Sequence, residues 1–335
     1  MAEPLLQVTD LKVHFGVGKS LFNPSFAVKA LDGVSFSVGR GEIVGLVGES
    51  GSGKTTLGRA VLRLVEPTDG QVHFDGQNVR AMPPRALRSL RSQMQIIFQD
   101  PYASLNPRMS VGQTLSEALY LHSIGTSRDR ERRVGDLLDR VGLPRNAATR
   151  FPHEFSGGQR QRIGIARALA VNPQFIVADE PVSALDVSIQ AQIINLLQDL
   201  RQDLGLSILF IGHDLSVIEF LCDRVVVLYL GKITETATAE ALYTRPRHPY
   251  TRALLDAAPV PDPRARRDRI TLKGDLPSPI NPPSGCVFRT RCPFAIDACA
   301  RTVPVLETVG DQHQVACIRA AELDLMMPPL VTASG

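Results

Sequence analysis

Short apolar runs alternate with stretches of helical periodicity along most of the chain, from Leu5 to about Tyr243. Several runs have the length and composition of buried strands: GEIVGLVG, FIVADEP, LSILFIGHD and RVVVLYLG. Residues 188–204 carry apolar side chains at helical spacing, and Gly205 supplies a stop signal. Strands that alternate with amphipathic helices predict an α/β domain with a largely parallel sheet.

Two departures from this pattern divide the chain further. The segment QVHFDGQNV has the two-residue period of a strand and contains the turn signal Asp75-Gly76, which predicts an antiparallel piece beside the parallel sheet. After Thr244 the composition shifts, because prolines are concentrated between 246 and 304 and arginines between 264 and 269. The shift predicts a large domain over 1–243, then a Pro-rich linker and a small terminal domain over 244–335.

The overall charge limits the partners only weakly. The chain has 37 Lys and Arg against 34 Asp and Glu, a formal net charge of +3, which is too small to argue for a nucleic-acid partner. No apolar run approaches the roughly 20 residues that a membrane span needs, and the start, MAEPLLQVTD, lacks the features of a signal peptide. We therefore expect the chain to remain in the cytoplasm.

The strongest chemical motif is a glycine-rich segment between the strand GEIVGLV and a predicted helix that opens at Thr55. A phosphate chain needs converging backbone N–H groups, glycines that let the backbone approach, a Lys against the terminal phosphates and a hydroxyl on Mg²⁺. All of these parts occur in order, so the sequence predicts a nucleotide-binding loop. Its residues are Gly48, Glu49, Ser50, Gly51, Ser52, Gly53, Lys54, Thr55 and Thr56.

Two acidic residues end the strand-like run FIVADEP. At the carboxyl end of a parallel strand, Asp179 and Glu180 are expected at the same sheet edge as the phosphate loop. Asp179 suits the coordination shell of Mg²⁺, and Glu180 can polarise a water in line with the γ-phosphate. The alternative is a solvated acidic pair at a strand end, which the upstream phosphate loop disfavours.

A second anion-binding device lies between these two motifs. Ser156, Gly157, Gly158 and Gln159 precede the predicted helix 163–170. A Ser at a glycine-flanked helix start offers a hydroxyl and free backbone N–H groups. A plain helix cap is the alternative interpretation. Two phosphate-binding elements in one chain make sense if they face different nucleotides.

These motifs, in this order, resemble those of the ATP-binding cassette (ABC) ATPases. The signature-like FSGGQ and the segments IIFQDP, SALD and IGHD, which contain Gln99, Asp186 and His213, carry the resemblance. It covers nearly the entire chain. It implies the ABC ATPase fold, in which an antiparallel β subdomain and a helical subdomain over about 100–170 accompany the parallel core.

The resemblance also implies roles for the nucleotide-binding residues. Two such domains pack head to tail, so Ser156 to Gln159 of one would clamp ATP bound by the other, and Asp186 would lie in the D-loop between them. Lys54 would hold phosphate, and Thr55 and Asp179 would support Mg²⁺.

Three further roles concern hydrolysis and base recognition. Glu180 would act as catalytic base, and His213 would reach the γ-phosphate. Gln99 would contribute to the Mg²⁺ site, sense the nucleotide and relay its state to a membrane partner. Phe15 sits where the family places an adenine-stacking aromatic, although a lone Phe near an edge strand is as often part of a core.

Later segments narrow the resemblance. NPR at 106–108, RHPYT at 247–251 and the stretch from LPSP to PPSGC at 276–286 resemble ATP-binding subunits of bacterial peptide importers, most closely the dipeptide F-type subunit. This implies a second ABC ATPase subunit, two transmembrane permease subunits and, indirectly, an extracytoplasmic peptide-binding protein as partners. It also implies a peripheral position at the cytoplasmic face of the inner membrane.

Three alternatives to a peptide importer remain open. A metal-sensing protein without transport would explain the C-terminal cysteines but would leave the ATPase motifs without a function. Related importers carry nickel or glutathione. A soluble ABC ATPase acting on nucleic acid or ribosomes would give a purpose to the arginine-rich runs at 128–133 and 264–269. Those runs are mixed with acids or spread through a Pro-rich linker, and a charge run is usually a solvated face. We therefore expect no nucleic-acid partner.

The cysteines are distributed unevenly. Cys222 ends an apolar helical stretch and is predicted to be a buried small hydrophobe. Four others follow the spacing C-x5-C-x6-C-x17-C, which suits tetrahedral Zn²⁺ or an iron–sulfur cluster in a reducing compartment. The wide gaps and the resemblance, which associates this arrangement with a [4Fe–4S] cluster, favour the cluster over zinc and over unligated structural cysteines. Its role would be to fold a tail that is too Pro-rich to build much core. The predicted ligands are Cys286, Cys292, Cys299 and Cys317.

Overall fold

The computed structural model describes residues 3–17, 26–258, 270, 272 and 274–327, so the arginine run at 264–269 lies outside the described residues. The strands are β1 (Leu6–Val17), β2 (Phe26–Val38), β3 (Ile43–Val47), β4 (Asp69–Phe74), β5 (Gln77–Asn78), β6 (Met94–Ile97), β7 (Phe175–Asp179), β8 (Ser207–Ile211), β9 (Arg224–Tyr229), β10 (Lys232–Thr238), β11 (Glu307–Gly310) and β12 (His313–Val315). The α-helices are α1 (Lys54–Val61), α2 (Pro84–Leu90), α3 (Pro101–Ser104), α4 (Val111–Leu121), α5 (Ser127–Arg140), α6 (Gly157–Leu169), α7 (Val187–Leu204), α8 (Leu215–Leu221), α9 (Ala239–Thr244), α10 (Pro249–Ala257) and α11 (Ala298–Arg301).

The chain folds into two compact units that are each assembled from separate segments. The first comprises Met1–Leu6, Val38–Ile43 and His73–Ile211, and the second comprises Gln7–Ser37, Val44–Val72 and Gly212–Gly335. The second unit contains residues on both sides of the boundary predicted at 243, which stays a prediction.

The first unit is built on three parallel strands. β6 pairs with β7 and β7 pairs with β8, so that Ile97, Ala178 and Phe210 lie in one row across the strands. β7 and β8 are buried along their whole length. An apolar run buried on both faces is what a parallel strand covered by helices requires. The expected strand-helix alternation is therefore confirmed in this unit.

Helices occupy the stretch between β6 and β7, where the helical subdomain was expected. They are α3 to α6 and two short 3₁₀ turns at Arg145–Thr149 and Pro152–Glu154. The next helix, α7, ends at Gly205 with φ 63°, as the stop signal predicted. Its buried face consists of Ile193, Ile194, Leu197 and Leu200, whereas Leu204 is 40% exposed.

The antiparallel hairpin predicted around Asp75-Gly76 is also present. His73 pairs with Asn78 and Phe74 with Gln77 across the turn between β4 and β5. The prediction is confirmed because the alternating pattern and the turn residues pointed to the same local structure.

The second unit contains a mixed sheet. β3 runs parallel to β9, β9 runs antiparallel to β10, and the hairpin β11–β12 continues the sheet because β12 pairs with β10. Strand β9 is apolar and buried from Val225 onward. The hairpin comes from the C-terminal region, so that region completes the sheet of its own unit rather than forming a separate layer.

An aromatic cluster joins the C-terminal region to this sheet. The ring centroids of Tyr229 and Tyr250 are 4.7 Å apart, and Phe288 lies 5.2 Å from Tyr229 and 5.3 Å from Tyr250. All three side chains are fully buried. Such tilted and edge-on arrangements add to the stabilisation that burial itself provides. Among the residues described, no helix has the length and apolarity to cross a bilayer.

Candidate nucleotide site

The glycine-rich loop connects β3 to α1 in the second unit. Gly48 and Gly53 have φ values of 154° and 108°. A Cβ at Gly48 would overlap the carbonyl oxygen of Leu228, and one at Gly53 would lie 2.5 Å from the carbonyl oxygen of Ala30. Only glycine fits both the dihedral angles and the space. The loop is thereby pressed against β2 and β9, with its backbone amides at the start of a helix.

Lys54 and Ser52 are the buried polar side chains of the loop. Lys54 is 6% exposed, and its Nζ donates to the carbonyl oxygens of Gly48 at 2.7 Å and Glu49 at 3.0 Å. Ser52 is fully buried, and its hydroxyl has no hydrogen-bond partner among the residues that the structure describes. A buried ammonium needs anionic or carbonyl partners. The loop therefore presents a cation that can exchange its carbonyl contacts for phosphate oxygens.

Asp179, Glu180 and Gln99 lie in the first unit. Asp179 ends β7 with 2% of its surface exposed. Glu180 follows with φ 45°, a left-handed conformation that costs roughly 1–2 kcal/mol in a non-glycine residue. Its N–H donates to the Ile211 carbonyl at 3.0 Å, and its carbonyl accepts from the Ser183 hydroxyl at 3.1 Å.

This backbone geometry turns the Glu180 carboxylate toward Gln99. Gln99 Nε2 donates to Glu180 Oε2 at 2.9 Å. The structure thus brings together two residues that are far apart in the chain and that the sequence assigned to one reaction. Strain held by several hydrogen bonds is a feature typical of functional sites.

The signature residues form the start of α6 in the first unit. Ser156 is the N-cap: its hydroxyl accepts from the Gln159 N–H at 3.3 Å, and its own N–H donates to Gln159 Oε1 at 3.1 Å. A Cβ at Gly158 would lie 2.5 Å from Ile189 Cγ2, so glycine permits α6 to pack closely on α7. The plain cap considered as an alternative is therefore present, and the N–H groups of the first helical turn remain directed out of the helix end.

Most of the remaining predicted residues lie at exposed positions. Asp186 is exposed before α7 and is followed by Val187, which is 82% exposed. In the second unit, His213 is exposed in the loop before α8, and Phe15 on β1 is 44% exposed. Thr55 and Thr56 are half-buried on α1, and Ser50 and Gly51 are exposed. The roles assigned to these residues stay predictions.

The iron–sulfur cluster predicted at the four C-terminal cysteines is wrong. In the described part of the chain, which includes all four, no group of three or more His, Cys, Asp or Glu side chains is placed to hold a metal ion. Burial raises the pKa of Cys286 and Cys317 and raises that of Cys292 to about 11. The same finding gives no support to zinc.

The error has a physical cause. The tail was expected to need a metal because its proline content leaves few residues for a core. Instead Phe288 enters the aromatic cluster, the Cys286 N–H donates to the Cys299 carbonyl at 2.8 Å, and β12 joins the sheet. Packing and backbone hydrogen bonds perform the folding role that the prediction gave to a metal. The other cysteine prediction is confirmed, since Cys222 is 7% exposed at the end of α8.

Two residues of this region contact the phosphate loop and were missed. The Tyr250 hydroxyl accepts from the Glu49 N–H at 2.8 Å, and the Arg291 guanidinium binds both oxygens of the Glu49 carboxylate. No spacing rule links residues about two hundred positions apart. In the sequence, the one indication of such a contact is an acidic residue, Glu49, inside a loop predicted to bind phosphate.

Comparison with known families and proteins agrees with this geometry. Residues 31–183 match the ABC transporter family, and residues 234–299 match the family described as the C-terminal region of oligopeptide/dipeptide transporters. A peptide import ATP-binding protein of Brucella ovis is 62% identical over 94% of this chain and 98% of its own length. The oligopeptide transport ATP-binding protein OppF of Escherichia coli is 52% identical over 95% of this chain and 97% of its own.

Solved structures show the same fold. The dimeric post-hydrolysis state of the ATP-binding cassette MJ0796, bound to ADP and Pi, has a TM-score of 0.63 at 28% identity and covers 70% of this chain and 98% of that one. Clostridium perfringens cbiO1, part of the cbiONQ transporter complex, has a TM-score of 0.63 at 27% identity and covers 72% and 91%. The chain belongs to the ABC transporter ATPases, in the branch formed by the ATP-binding proteins of oligopeptide and dipeptide importers.

Proposed function

We propose that this protein is the ATP-hydrolysing subunit that powers import of dipeptides or oligopeptides through a membrane permease. The observation that carries the proposal is the glycine-built loop with its buried Lys54, in a chain whose C-terminal region matches that of peptide transporters. The arginine runs do not favour a nucleic-acid partner, because those on α5 are interspersed with acids, as in the pair between Arg132 and Asp129.

The phosphate loop binds ATP through its backbone and Lys54. On binding, Nζ replaces the carbonyl oxygens of Gly48 and Glu49 by oxygens of the terminal phosphates, and the amides at the start of α1 donate to the remaining oxygens. Thr55, Asp179 and Gln99 carry oxygen ligands of the kind Mg²⁺ prefers. When bound, Mg²⁺ neutralises charge that develops on the phosphate oxygens.

Glu180 acts as the base for the attacking water. The hydrogen bond from Gln99 orients its carboxylate, which accepts a proton from the water as the oxygen attacks the γ-phosphorus and the bond to ADP breaks. His213 stabilises the γ-phosphate as a hydrogen-bond donor. Phe15, with an exposed ring, is the candidate for stacking on adenine.

A second, related ATPase subunit completes each site. The start of α6, with Ser156 at its cap, presents backbone N–H groups that can bind the phosphates of the partner's ATP. Val187, beside Asp186 in the D-loop, leaves an apolar side chain in solvent where a head-to-tail partner would cover it.

The permease docks on the segment that follows Gln99. Tyr102 on α3 is 64% exposed, and the guanidinium carbon of Arg160 lies 3.5 Å from its ring centroid. Arg160 also donates to the carbonyls of Pro152 and Phe155, immediately before the signature. A contact at Tyr102 can therefore reach the signature through one side chain. Binding to two permease subunits places the protein peripherally at the cytoplasmic face of the inner membrane, opposite an extracytoplasmic peptide-binding protein.

Reconstitution tests the proposal. The protein is purified with its membrane partners, placed in proteoliposomes with the binding protein, and assayed for peptide uptake and ATP hydrolysis. Lys54→Ala should abolish both, while Lys12→Ala, which alters a lysine on β1, should leave both near the wild-type level. ATP-independent uptake, or a purified protein without permease subunits, would refute the proposal. Nickel or glutathione uptake without peptide uptake would identify one of the related importers instead.

A further inference from the structure

The C-terminal region holds the acidic residue of the phosphate loop from two sides. Arg291 approaches the Glu49 carboxylate with both terminal nitrogens, and the distance from Nη2 to Oε1 is 3.0 Å. The Tyr250 hydroxyl accepts the Glu49 N–H at 2.8 Å. The hydrogen bonds to Glu49 raise the pKa of Arg291 further above its ordinary value. Two-point pairing between a guanidinium and a carboxylate fixes direction as well as distance.

Arg291 is placed by the aromatic cluster. Its N–H donates to the Phe288 carbonyl at 3.0 Å, which closes a turn anchored by the fully buried Phe288 ring. The Arg291 side chain is only 7% exposed, against 28% for Glu49. The guanidinium is therefore pre-positioned, and little side-chain entropy is lost when it pairs.

A second segment of the C-terminal region, residues 276–279, lies near the phosphate loop and β2. The Pro279 carbonyl accepts from the Lys29 N–H on β2 at 3.1 Å. A Cβ on Gly51 would lie 3.4 Å from Leu276 Cδ2, at van der Waals distance. The phosphate loop is thus contacted by Tyr250 and Arg291, and Leu276 lies close to it. All three residues lie beyond the predicted boundary at 243.

The negative charge of Glu49 links these contacts to nucleotide binding. Glu49 lies between Gly48 and Ser50, inside a loop whose ligand is a polyanion. An unpaired carboxylate there would repel the phosphates, and at short range in a partly buried site this repulsion is large. Arg291 neutralises that carboxylate and holds it toward the tail.

We infer that Arg291 is a positioning residue of the ATP site, which makes the C-terminal region a structural part of nucleotide binding. The inference rests on the proposed ATPase function. It predicts that nucleotide affinity depends on the pairing of Arg291, at the end of the turn 288–291, with Glu49. By linkage, bound nucleotide should stabilise this turn in return.

Equilibrium binding of a fluorescent MgATP analogue to the full-length chain tests the inference. Arg291→Ala should weaken binding by about 10- to 100-fold, the size expected for one unpaired charge close to the phosphates in a partly buried site. Arg289→Ala is the matched control, because Arg289 donates to Ser284 in the same segment, and among the described residues its hydrogen bonds do not involve the phosphate loop.

Rescue separates the charge argument from a loss of structure. In the Arg291→Ala background, Glu49→Gln removes the uncompensated carboxylate and should restore most of the affinity. A purely structural role predicts that the double variant binds no better than Arg291→Ala. Hydrogen exchange of the wild-type chain supplies a measurement that needs no variant: amides of 286–292 should exchange more slowly with MgATP than without it.

The outcomes distinguish the inference from the proposed function. If wild-type protein binds the analogue, Lys54→Ala does not, and Arg291→Ala binds like Arg289→Ala, the inference is overturned while the proposed function holds. Absence of rescue by Glu49→Gln, or unchanged exchange at 286–292, also overturns it. If wild-type protein does not bind the analogue at all, the proposed function fails and the inference fails with it.

Discussion

The phosphate loop and the C-terminal region lie in the same unit and contact each other, yet they differ in how far the sequence predicts their structure. The loop depends on backbone geometry that only glycine allows, so its residue types alone identify it. The C-terminal region depends on which side chains meet: Phe288 with Tyr229 and Tyr250, and Arg291 with Glu49. Its most conspicuous residues, the cysteines, form no metal-holding group in the part of the chain that the structure describes.

The difference shows which kind of sequence motif predicts local structure by itself. A glycine at a positive φ and close to a neighbouring carbonyl is constrained by short-range sterics, and these act wherever the loop occurs. Spaced cysteines define only how far apart potential ligands can lie. Whether they form a metal site depends on packing that spacing does not report, and here the described residues contain no group placed to hold a metal.

The largest effect is expected at the nucleotide motifs, without a change in fold. Glu180→Gln keeps the shape of the side chain and its contact with Gln99 but removes the base. Loss of a general base lowers the hydrolysis rate by about 10²- to 10⁴-fold. MgATP binding should persist, so the closed dimer should accumulate. Steady-state hydrolysis and analogue binding measure the two effects, in a complex whose other site carries the same change.

Glu240→Gln is the control for that variant, because Glu240 is an exposed carboxylate on α9. It should hydrolyse ATP at the wild-type rate. Near-normal turnover by Glu180→Gln would remove the base assignment and leave the strained backbone at Glu180 without a chemical explanation.

Sequence reasoning predicted the core of the fold and a loop whose shape requires glycine, because each depends on local periodicity or local sterics. Helix α7 ends at Gly205, and the hairpin turns at Asp75-Gly76, as the pattern predicts. The family resemblance assigned Gln99 and Glu180 to one ATP site but did not predict their contact, which depends on the pairing of β6 with β7. The contact of Arg291 with Glu49 was beyond both, because it depends on a turn anchored by packing.

In the C-terminal region the largest effect should come from its aromatic anchor. Phe288→Ala removes a fully buried ring that contacts Tyr229, Tyr250 and His248. Such a truncation should lower the free energy of unfolding by about 3–5 kcal/mol. Urea denaturation measures it. Val305→Ala, at a side chain 67% exposed in the same region, should change it by less than about 0.5 kcal/mol. Equal effects from the two variants would show that the cluster does not anchor the tail.

A smaller effect should appear as pH falls. His248 is buried, and burial lowers its pKa to about 4, only partly opposed by the carboxylate of Glu235. An unfolded His binds a proton near pH 6.5, so stability is complete above that pH and falls as the pH drops toward 4. Between pH 7 and 4.5 the loss from this group should be about 2 kcal/mol.

Comparison with one variant isolates the contribution of His248. Its Nδ1 accepts the Tyr250 N–H at 3.1 Å at the start of α10. His248→Asn retains an acceptor at this cap and does not titrate. Urea denaturation at both pH values should show a smaller acid loss for His248→Asn than for wild type. The same loss in both proteins would assign the acid sensitivity to other groups.

The smallest effect is expected at a cysteine, and it tests the contrast between the two regions most directly. Cys292→Ser replaces a half-buried thiol by a hydroxyl of similar size. If packing anchors the tail, the free energy of unfolding should change by less than about 1 kcal/mol, as for ordinary substitutions away from the core. ATP hydrolysis should be unchanged, because Arg291 still seats on Glu49. A metal ligand would behave otherwise, since losing one typically unfolds the segment that the metal organises. Destabilisation by Cys292→Ser comparable to that of Phe288→Ala would therefore mean that the thiols, and not the aromatic cluster, hold the C-terminal region against the phosphate loop.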